Sequence, residues 1–331
     1  VSVGWGAWRD VGMAAELAGE ARYGATASAG SETEIDDTRF DVEIRAGDTV
    51  ALRGRWSRAR HWMIDEHRVR DGDWVLPGSG YVELLRHAWH RVEPELPFVL
   101  RDLVFMRPFG VREGEDRDLE FHLERAGEGE YVATVRSRAS EERDWTDHAS
   151  ATLGGAWTEN GSTALAEVTA RLGTPSPIEQ PEHPFMAFGP RWMNIAARAS
   201  GEGEALLRHE LPASFAGDLD DALLHPALLD MATAGAQDLV EGIDPVSDFL
   251  VPAGYGAVRA PGRFGATVLS HIRLTGADEG GTFASFDVTT WDESGTLLAE
   301  IRGFDMIRLQ GDELAGDHAD GEPAWLAAAI S

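Results

Sequence analysis

The sequence contains neither cysteine nor lysine, and all 29 basic residues among its 331 are arginine. Without thiols, the chain has no disulfides, no thiolate metal sites and no cysteine nucleophile. No stretch approaches the roughly 18 uninterrupted apolar residues that a membrane-spanning helix requires. The N-terminus also lacks the basic and then apolar regions of a signal peptide. We therefore expect a cytoplasmic protein with no membrane segment.

Charge of one sign dominates. Asp and Glu number 57, so the net charge is −28 at pH 7. Such acidity repels the phosphates of nucleic acids and anionic lipids, so we expect neither as a partner. The 43% hydrophobic content is that of a globular protein, and most of the carboxylates are expected on a solubilising surface.

The hydrophobic pattern predicts two similar halves. Alternating runs such as FDVEIRAG and EYVATVRSRA are typical of half-buried strands. Within the first half, residues 79–92 instead place Tyr81, Leu84, Leu85 and Ala88 on one helix face, with Ser79 as the expected N-cap. After a linker-like segment rich in Thr, Pro, Gly and Glu, similar strands surround the helical stretch PALLDMATAGAQDLV. The predicted class is α+β, with one principal helix per half.

The first motif carries a histidine. It runs from His67 through Gly72 to Pro77 and Gly78, and the predicted helix with Tyr81 follows at once. A histidine in a turn before a buried helix can lie beside a substrate tunnel, and neutral imidazole is a suitable base near its ordinary pKa of about 6.5. The alternative is a histidine in an ordinary surface turn.

The second motif carries an aspartate. It reads His225-Pro-Ala-Leu-Leu-Asp230 and opens the helix of the second half. A carboxyl group among apolar neighbours is favoured in its protonated form, which can donate a proton to a departing hydroxyl. The alternative is an aspartate stabilised by the dipole at a helix N-terminus.

The third motif is a turn, Phe188-Gly189-Pro190-Arg191-Trp192. Glycine and proline in sequence make it rigid, and glycine lets backbone approach a ligand closely. The alternative is a loop turn packed by the tryptophan.

In this order the three motifs resemble those of dehydratase domains of modular type I polyketide synthases, over roughly residues 40–310. The resemblance implies a double hot-dog fold, in which two tandem hot-dogs each wrap a curved antiparallel sheet around one central helix. We expect the hot-dog with the catalytic histidine over 31–165, a linker over 166–184, the hot-dog with the catalytic aspartate over 185–310, and an acidic tail over 311–331. Residues 1–15 resemble the end of a ketoreductase domain, so 1–30 is assigned to a ketoreductase remnant and linker.

The resemblance further implies elimination of water from a β-hydroxyacyl thioester on the phosphopantetheine of an acyl carrier protein. His67 would remove the α-proton and Asp230 would protonate the leaving hydroxyl, while backbone N–H groups near Gly78 or Gly189 stabilise the developing enolate. No metal or redox cofactor is expected, because the thioester already acidifies the α-carbon. The residues expected to bind substrate are Gly72, Pro77, Gly78, Tyr81, Phe188, Gly189, Pro190, Trp192 and Ala234.

The expected partners are the acyl carrier protein and neighbouring synthase domains, including a ketoreductase, and a homodimer fits the dimeric state of such synthases. The sequence departs from the family pattern at Ala234, where Gln or His is usual, and at Phe188, where Tyr is usual. The spacing from His67 to Gly72 is one residue longer than usual. Two alternatives stay open: a dehydratase-like oxa-Michael cyclase or double-bond isomerase, and a non-catalytic scaffold that binds the acyl carrier.

Overall fold

The computed structural model describes residues 30–310, except 140–141, 159–160, 162, 245–246 and 279. Apart from Gly30, the segment assigned to a ketoreductase remnant lies outside the described residues, as does the acidic tail. Among the residues described, no helix is long and apolar enough to cross a membrane.

The first half of the fold is mostly strands around one long helix. In chain order it contains β1 (Ser31–Glu34), β2 (Val42–Ala46), β3 (Thr49–Trp56), helix α1 (Trp62–Asp65), β4 (His67–Val69), β5 (Trp74–Val75), helix α2 (Gly78–Val92), β6 (Val99–Phe105), β7 (Gly110–Val111), β8 (Arg117–Gly127), β9 (Glu130–Ala139) and β10 (Thr146–Gly154).

The second half repeats this plan with a shorter central helix. It contains helix α3 (Leu165–Leu172), β11 (Ser176–Pro177), β12 (Met186–Phe188), β13 (Ile195–Gly201), β14 (Glu204–Glu210), helix α4 (Asp218–Asp221), helix α5 (Pro226–Ala234), β15 (Asp248–Arg259), β16 (Thr267–Ala277), β17 (Phe283–Trp291) and β18 (Leu297–Gln310). Short 3₁₀ turns occur at Pro190–Trp192, Ala213–Phe215 and Gln237–Leu239.

One 14-stranded sheet joins the two halves. From the junction outward, the first half runs β6-β10-β9-β8-β3-β2-β1 and the second half β15-β18-β17-β16-β14-β13-β11. In both halves the strand that follows the central helix lies at the junction, next to that half's last strand. Strands β6 and β15 pair antiparallel there, and Gly254 approaches so closely that an added Cβ would lie 2.4 Å from the Leu103 carbonyl oxygen. The predicted two similar halves are confirmed.

The two central helices pack against each other inside this sheet. On α2, the predicted apolar face of Tyr81, Leu84, Leu85 and Ala88 is buried, and burying each leucine contributes about 1.5–3 kcal/mol. Every residue of α5 except Ala234 is buried. The helix that carries Asp230 is therefore enclosed over almost its whole length.

Two local predictions differ from the structure. Helix α2 begins at Gly78 with Pro77 as its N-cap, so the expected N-cap role of Ser79 is wrong. The segment expected as a linker contains helix α3, because Val168 packs with Leu206 and Trp291 into a separate apolar cluster on the second half.

A second, four-stranded sheet in the order β12-β4-β5-β7 also links the halves. Strand β12 pairs antiparallel with β4, which sets Phe188 opposite His67. The register therefore brings the third motif beside the histidine of the first.

Candidate active site

The side chain of His67 lies at the start of β4 and is 12% exposed. Its Nδ1 atom is 2.9 Å from the carbonyl oxygen of Val75. Because a carbonyl only accepts, Nδ1 carries the hydrogen in the neutral ring, which leaves Nε2 as the basic atom. Burial lowers the pKa of His67 against the raising effects of Asp230 and this hydrogen bond, so the ring is held neutral.

The carboxyl group of Asp230 is buried on α5. The indole Nε1–H of Trp192 donates to its Oδ2 atom at 2.8 Å, and the Ser79 hydroxyl donates to Oδ1 at 3.4 Å. Burial raises the pKa of Asp230, while His67, Trp192 and Ser79 oppose the rise. At a given pH, Asp230 is therefore more often protonated than an aspartate with the ordinary pKa.

These two groups, one from each half, face each other. His67 Nε2 lies 3.8 Å from Asp230 Oδ2, and both residues line one cavity of about 720 Å³. Apolar side chains such as Leu76, Phe105 and Leu207 form much of the wall. An imidazole and a carboxyl group whose neutral forms are both favoured by burial thus share a cavity with a largely apolar wall.

The structure places the predicted substrate-binding residues in two groups. Those that line the cavity with His67 and Asp230 are Pro77, Gly78, Tyr81, Phe188 and Ala234. Those that do not line it are Gly72, Gly189, Pro190 and Trp192.

The positions of this second group have local causes. Gly72 closes the turn between β4 and β5, where its N–H donates to Val69. Trp192 is fully buried beneath the site: its indole N–H donates to Asp230, and its ring lies 5.5 Å from the His67 ring.

The two glycines expected to offer a backbone N–H to the enolate also differ in whether they line the cavity. The N–H of Gly189 donates to the Glu66 carbonyl oxygen at 2.8 Å. Gly78 instead is the first residue of α2 and lines the cavity, and the N–H of a first helical residue has no partner within its helix. Gly78 is therefore the better donor for a developing negative charge, with the positive end of the helix dipole behind it.

A polar network that no motif indicated ties the three motifs together. Arg191 pairs with Glu66, the neighbour of His67, and its Nε lies 2.6 Å from Asp218 Oδ2. The same Asp218 oxygen lies 3.5 Å from Nε2 of His225, which precedes α5. Sequence reasoning missed these links because their partners are remote in the chain.

Two further polar side chains at the site were also missed. Ser79 contacts Asp230 rather than the helix end, and His183, which lies in the segment expected as a linker, lines the cavity. Ser79 stands at a variable position of the first motif's continuation to Tyr81, and His183 stands in no motif. Within the described residues, no group of three His, Asp or Glu side chains is arranged to hold a metal ion.

Comparison with protein families gives two matches. The model described as polyketide synthase dehydratase domain matches residues 40–138, and the one described as polyketide synthase dehydratase N-terminal domain matches residues 181–316. Polyketide synthase PksL of Bacillus subtilis is 25% identical over 268 residues, covering 77% of this chain. Polyketide synthase GfsE of Streptomyces halstedii is 28% identical over 277 residues, covering 78%. The chain spans only 6% and 7% of the lengths of these relatives.

Solved structures show the same architecture. The dehydratase domain from the CurJ module of curacin polyketide synthase superposes with a TM-score of 0.74 at 19% identity, covering 84% of this chain and 99% of that one. An inactive Asp→Asn mutant of the CurK dehydratase gives 0.68 at 19% identity, covering 86% and 99%. The likeness confirms the predicted double hot-dog fold.

Proposed function

Because the chain belongs to the dehydratase domains of polyketide synthases, hydro-lyases of polyketide assembly, we propose that His67 and Asp230 together remove water from a β-hydroxyacyl thioester. The observation that carries this proposal is the meeting of the two groups across one cavity, 3.8 Å apart, with pKa values displaced in opposite directions. The inactive Asp→Asn mutant of the CurK dehydratase supports an aspartate in this role.

The reaction starts at the α-carbon. His67 Nε2 takes the α-proton, and the electron pair of the C–H bond moves into the thioester to form an enolate. The Gly78 N–H stabilises the negative charge on the thioester oxygen. The thioester itself acidifies the α-carbon, so the proposed chemistry needs no metal or redox cofactor.

The second proton transfer releases water. Asp230 gives its proton to the β-hydroxyl as the carbon–oxygen bond breaks, which leaves an α,β-unsaturated thioester. His67 is now charged and Asp230 ionised. Return of the proton from Nε2 to the carboxylate through the released water restores both groups, since their direct separation of 3.8 Å is too long for a hydrogen bond.

Orientation of Asp230 falls to Trp192 and Ser79 in this proposal. Ala234, one helical turn after Asp230, has no polar atom in its side chain, and Phe188 has no hydroxyl. The indole N–H at 2.8 Å is the short, fully buried contact to the carboxyl group. Trp192 is thus a positioning residue rather than a substrate-binding one.

The relatives are multidomain synthases, so neighbouring synthase domains are the natural context of this chain. We propose that the substrate arrives on the phosphopantetheine of an acyl carrier protein, after a ketoreductase has made the β-hydroxyl. Assembly as a homodimer and a cytoplasmic location belong to the same proposal. A cyclase, an isomerase or a non-catalytic scaffold gains no support from the site, and a scaffold has no need of a buried carboxyl group beside an imidazole.

The test is turnover of a β-hydroxyacyl pantetheine thioester, followed by the absorbance of the enoyl product. Since a general acid or base contributes roughly 10²–10⁴-fold, His67→Ala and Asp230→Ala should each lower kcat by that factor. His90→Ala, an exposed change on α2, is the matched control and should turn over normally. Unchanged rates in both site variants would contradict the proposal.

A further inference from the structure

A second imidazole lies in the wall of the catalytic cavity. His183 lines this cavity together with His67 and Asp230. The rings of His67 and His183 both contact Phe188, with centroid separations of 5.6 and 5.7 Å. His183 takes no part in the proton transfers proposed for His67 and Asp230.

The loop that carries His183 is fastened to the catalytic strand. Arg70, which follows β4, donates from Nη2 to the His183 carbonyl oxygen at 2.8 Å and from Nε to that of Pro184 at 2.9 Å. The backbone N–H of Arg70 donates to Phe185 at 2.7 Å. The second imidazole is therefore held in place relative to the first before any ligand arrives, which lowers the entropic cost of binding.

Backbone contacts fix which nitrogen of His183 carries its hydrogen. The N–H groups of Phe185 and Met186 both donate to Nδ1, at 3.2 and 3.1 Å. Nδ1 is thus an acceptor, and the hydrogen of the neutral ring must lie on Nε2. Burial, together with the charge of Arg70, lowers the pKa of His183 to about 4. The ring stays neutral at physiological pH and has a donor but no free basic nitrogen.

The donor has aromatic surroundings. The His183 ring meets Phe185 and Phe249 edge-on, at 6.1 and 5.1 Å between centroids. Within the part of the chain that the structure describes, the hydrogen bonds of the His183 ring are at Nδ1, and Nε2–H has no acceptor. A polar hydrogen in such a wall gains most from an oxygen that a ligand brings.

We propose that His183 binds an oxygen acceptor of the tethered substrate through Nε2–H, and that it takes no part in proton transfer. The acceptor is a carbonyl or hydroxyl oxygen, supplied either by an amide of the pantetheine arm or by the acyl chain beyond the β-carbon. The inference rests on the proposed function in that it takes the ligand to be an acyl thioester.

The test separates the loop from the ligand. In His183→Asn, the side-chain oxygen can still accept from the N–H groups of Phe185 and Met186. The donor at the position of Nε2 is lost. His183→Phe removes both. Calorimetric affinities are measured for four saturated acyl thioesters, which have neither a β-hydroxyl to lose nor an alkene to hydrate. They are made with or without an amide in the arm and with or without an oxygen on the chain beyond the β-carbon.

We expect His183→Asn to weaken binding about tenfold, which is 1.4 kcal/mol, only for thioesters that carry the matching oxygen. If affinity falls only for the thioesters with an amide, His183 contacts the pantetheine arm. If it falls only for those with an oxygen on the chain, His183 contacts the acyl chain. Equal affinities in wild type and variant, or equal losses for all four ligands, would overturn the proposal. In ¹⁵N NMR of the wild type, a His183 hydrogen on Nδ1 would do the same.

Binding of the saturated thioesters requires no turnover. If wild type binds them but dehydrates nothing, the proposed function fails while the role of His183 is still decided. If it dehydrates normally and His183→Asn binds all four ligands normally, only the present inference fails.

Discussion

The two halves of the sheet share one strand order but contribute opposite chemistry. In the first half the reactive group precedes the central helix, because His67 begins β4 and Gly78 then opens α2 toward the cavity. In the second half Asp230 is part of the central helix itself. A repeated framework therefore carries two unlike titratable groups, and they meet at the junction between the halves.

Burial acts on the two groups with opposite sign. It lowers the pKa of His67, which is charged when protonated, and raises the pKa of Asp230, which is charged when deprotonated. In both cases the neutral form gains. One apolar cavity thus favours the unprotonated imidazole and the protonated carboxyl group together, the states that the proposed elimination requires.

The roles proposed for His67 and Asp230 can be tested by measuring the two proton transfers separately. In D₂O, His67→Ala should lower both water loss and deuterium exchange at the α-carbon by roughly 10²–10⁴-fold. Asp230→Asn should lower water loss by roughly 10²–10⁴-fold yet retain exchange, because the base is intact and the amide oxygen still accepts from Trp192. NMR of the recovered thioester measures both, and exchange that persists in His67→Ala would reverse the assignment of roles.

A buried carboxylate one turn after Ser79 on α2 also binds the two halves together. Glu83 is fully buried, pairs with Arg86 at 3.0 Å, and accepts the N–H groups of Leu223 and Leu224, at 3.1 and 3.0 Å, just before His225. Glu83→Ala leaves a buried arginine and two backbone donors without their partner. We expect the free energy of unfolding in urea to fall by about 3–5 kcal/mol.

The control for this prediction is Glu95→Ala, which removes an exposed carboxylate and should change stability by less than about 0.5 kcal/mol. The double variant Glu83→Ala with Arg86→Ala should lose less than the sum of the single variants, since the pair shares one interaction. An additive double variant would show that Glu83 does not act through Arg86.

What the sequence predicts well is local. The apolar spacing of Tyr81, Leu84 and Leu85 identifies α2, and the contiguous motifs identify His67 and Asp230 as the candidate pair. Helix α3 was hidden by the Thr, Pro, Gly and Glu of its flanks, although its few apolar side chains suffice to cover Trp291.

What it cannot predict are contacts set by register and sheet pairing. The donation from Trp192 to Asp230 depends on how the third motif is packed beside α5, and the place of His183 depends on the pairing of β12 with β4. Ser79 shows the same limit, since a residue suited to capping a helix lies one position inside it and contacts the carboxyl group instead.

A smaller change in rate is expected when only the orientation of the Asp230 carboxyl group is disturbed. Trp192→Phe keeps the buried ring but removes the N–H that donates to Asp230 Oδ2. Losing one such hydrogen bond, at about 1–2 kcal/mol, should lower kcat about tenfold with little change in KM. Because this donation lowers the pKa of Asp230, its loss should raise that pKa.

The pH profile then distinguishes orientation from a packing defect. The rate rises with pH as His67 loses its proton and falls as Asp230 ionises, so Trp192→Phe should move only the alkaline limb, and toward higher pH. Ala234→Gln added to this variant should restore part of kcat, because residue 234 lies one turn from Asp230 and lines the same cavity. A lower rate with both limbs unmoved and no recovery in the double variant would mean that Trp192 serves packing, and that Ser79 alone orients the acid.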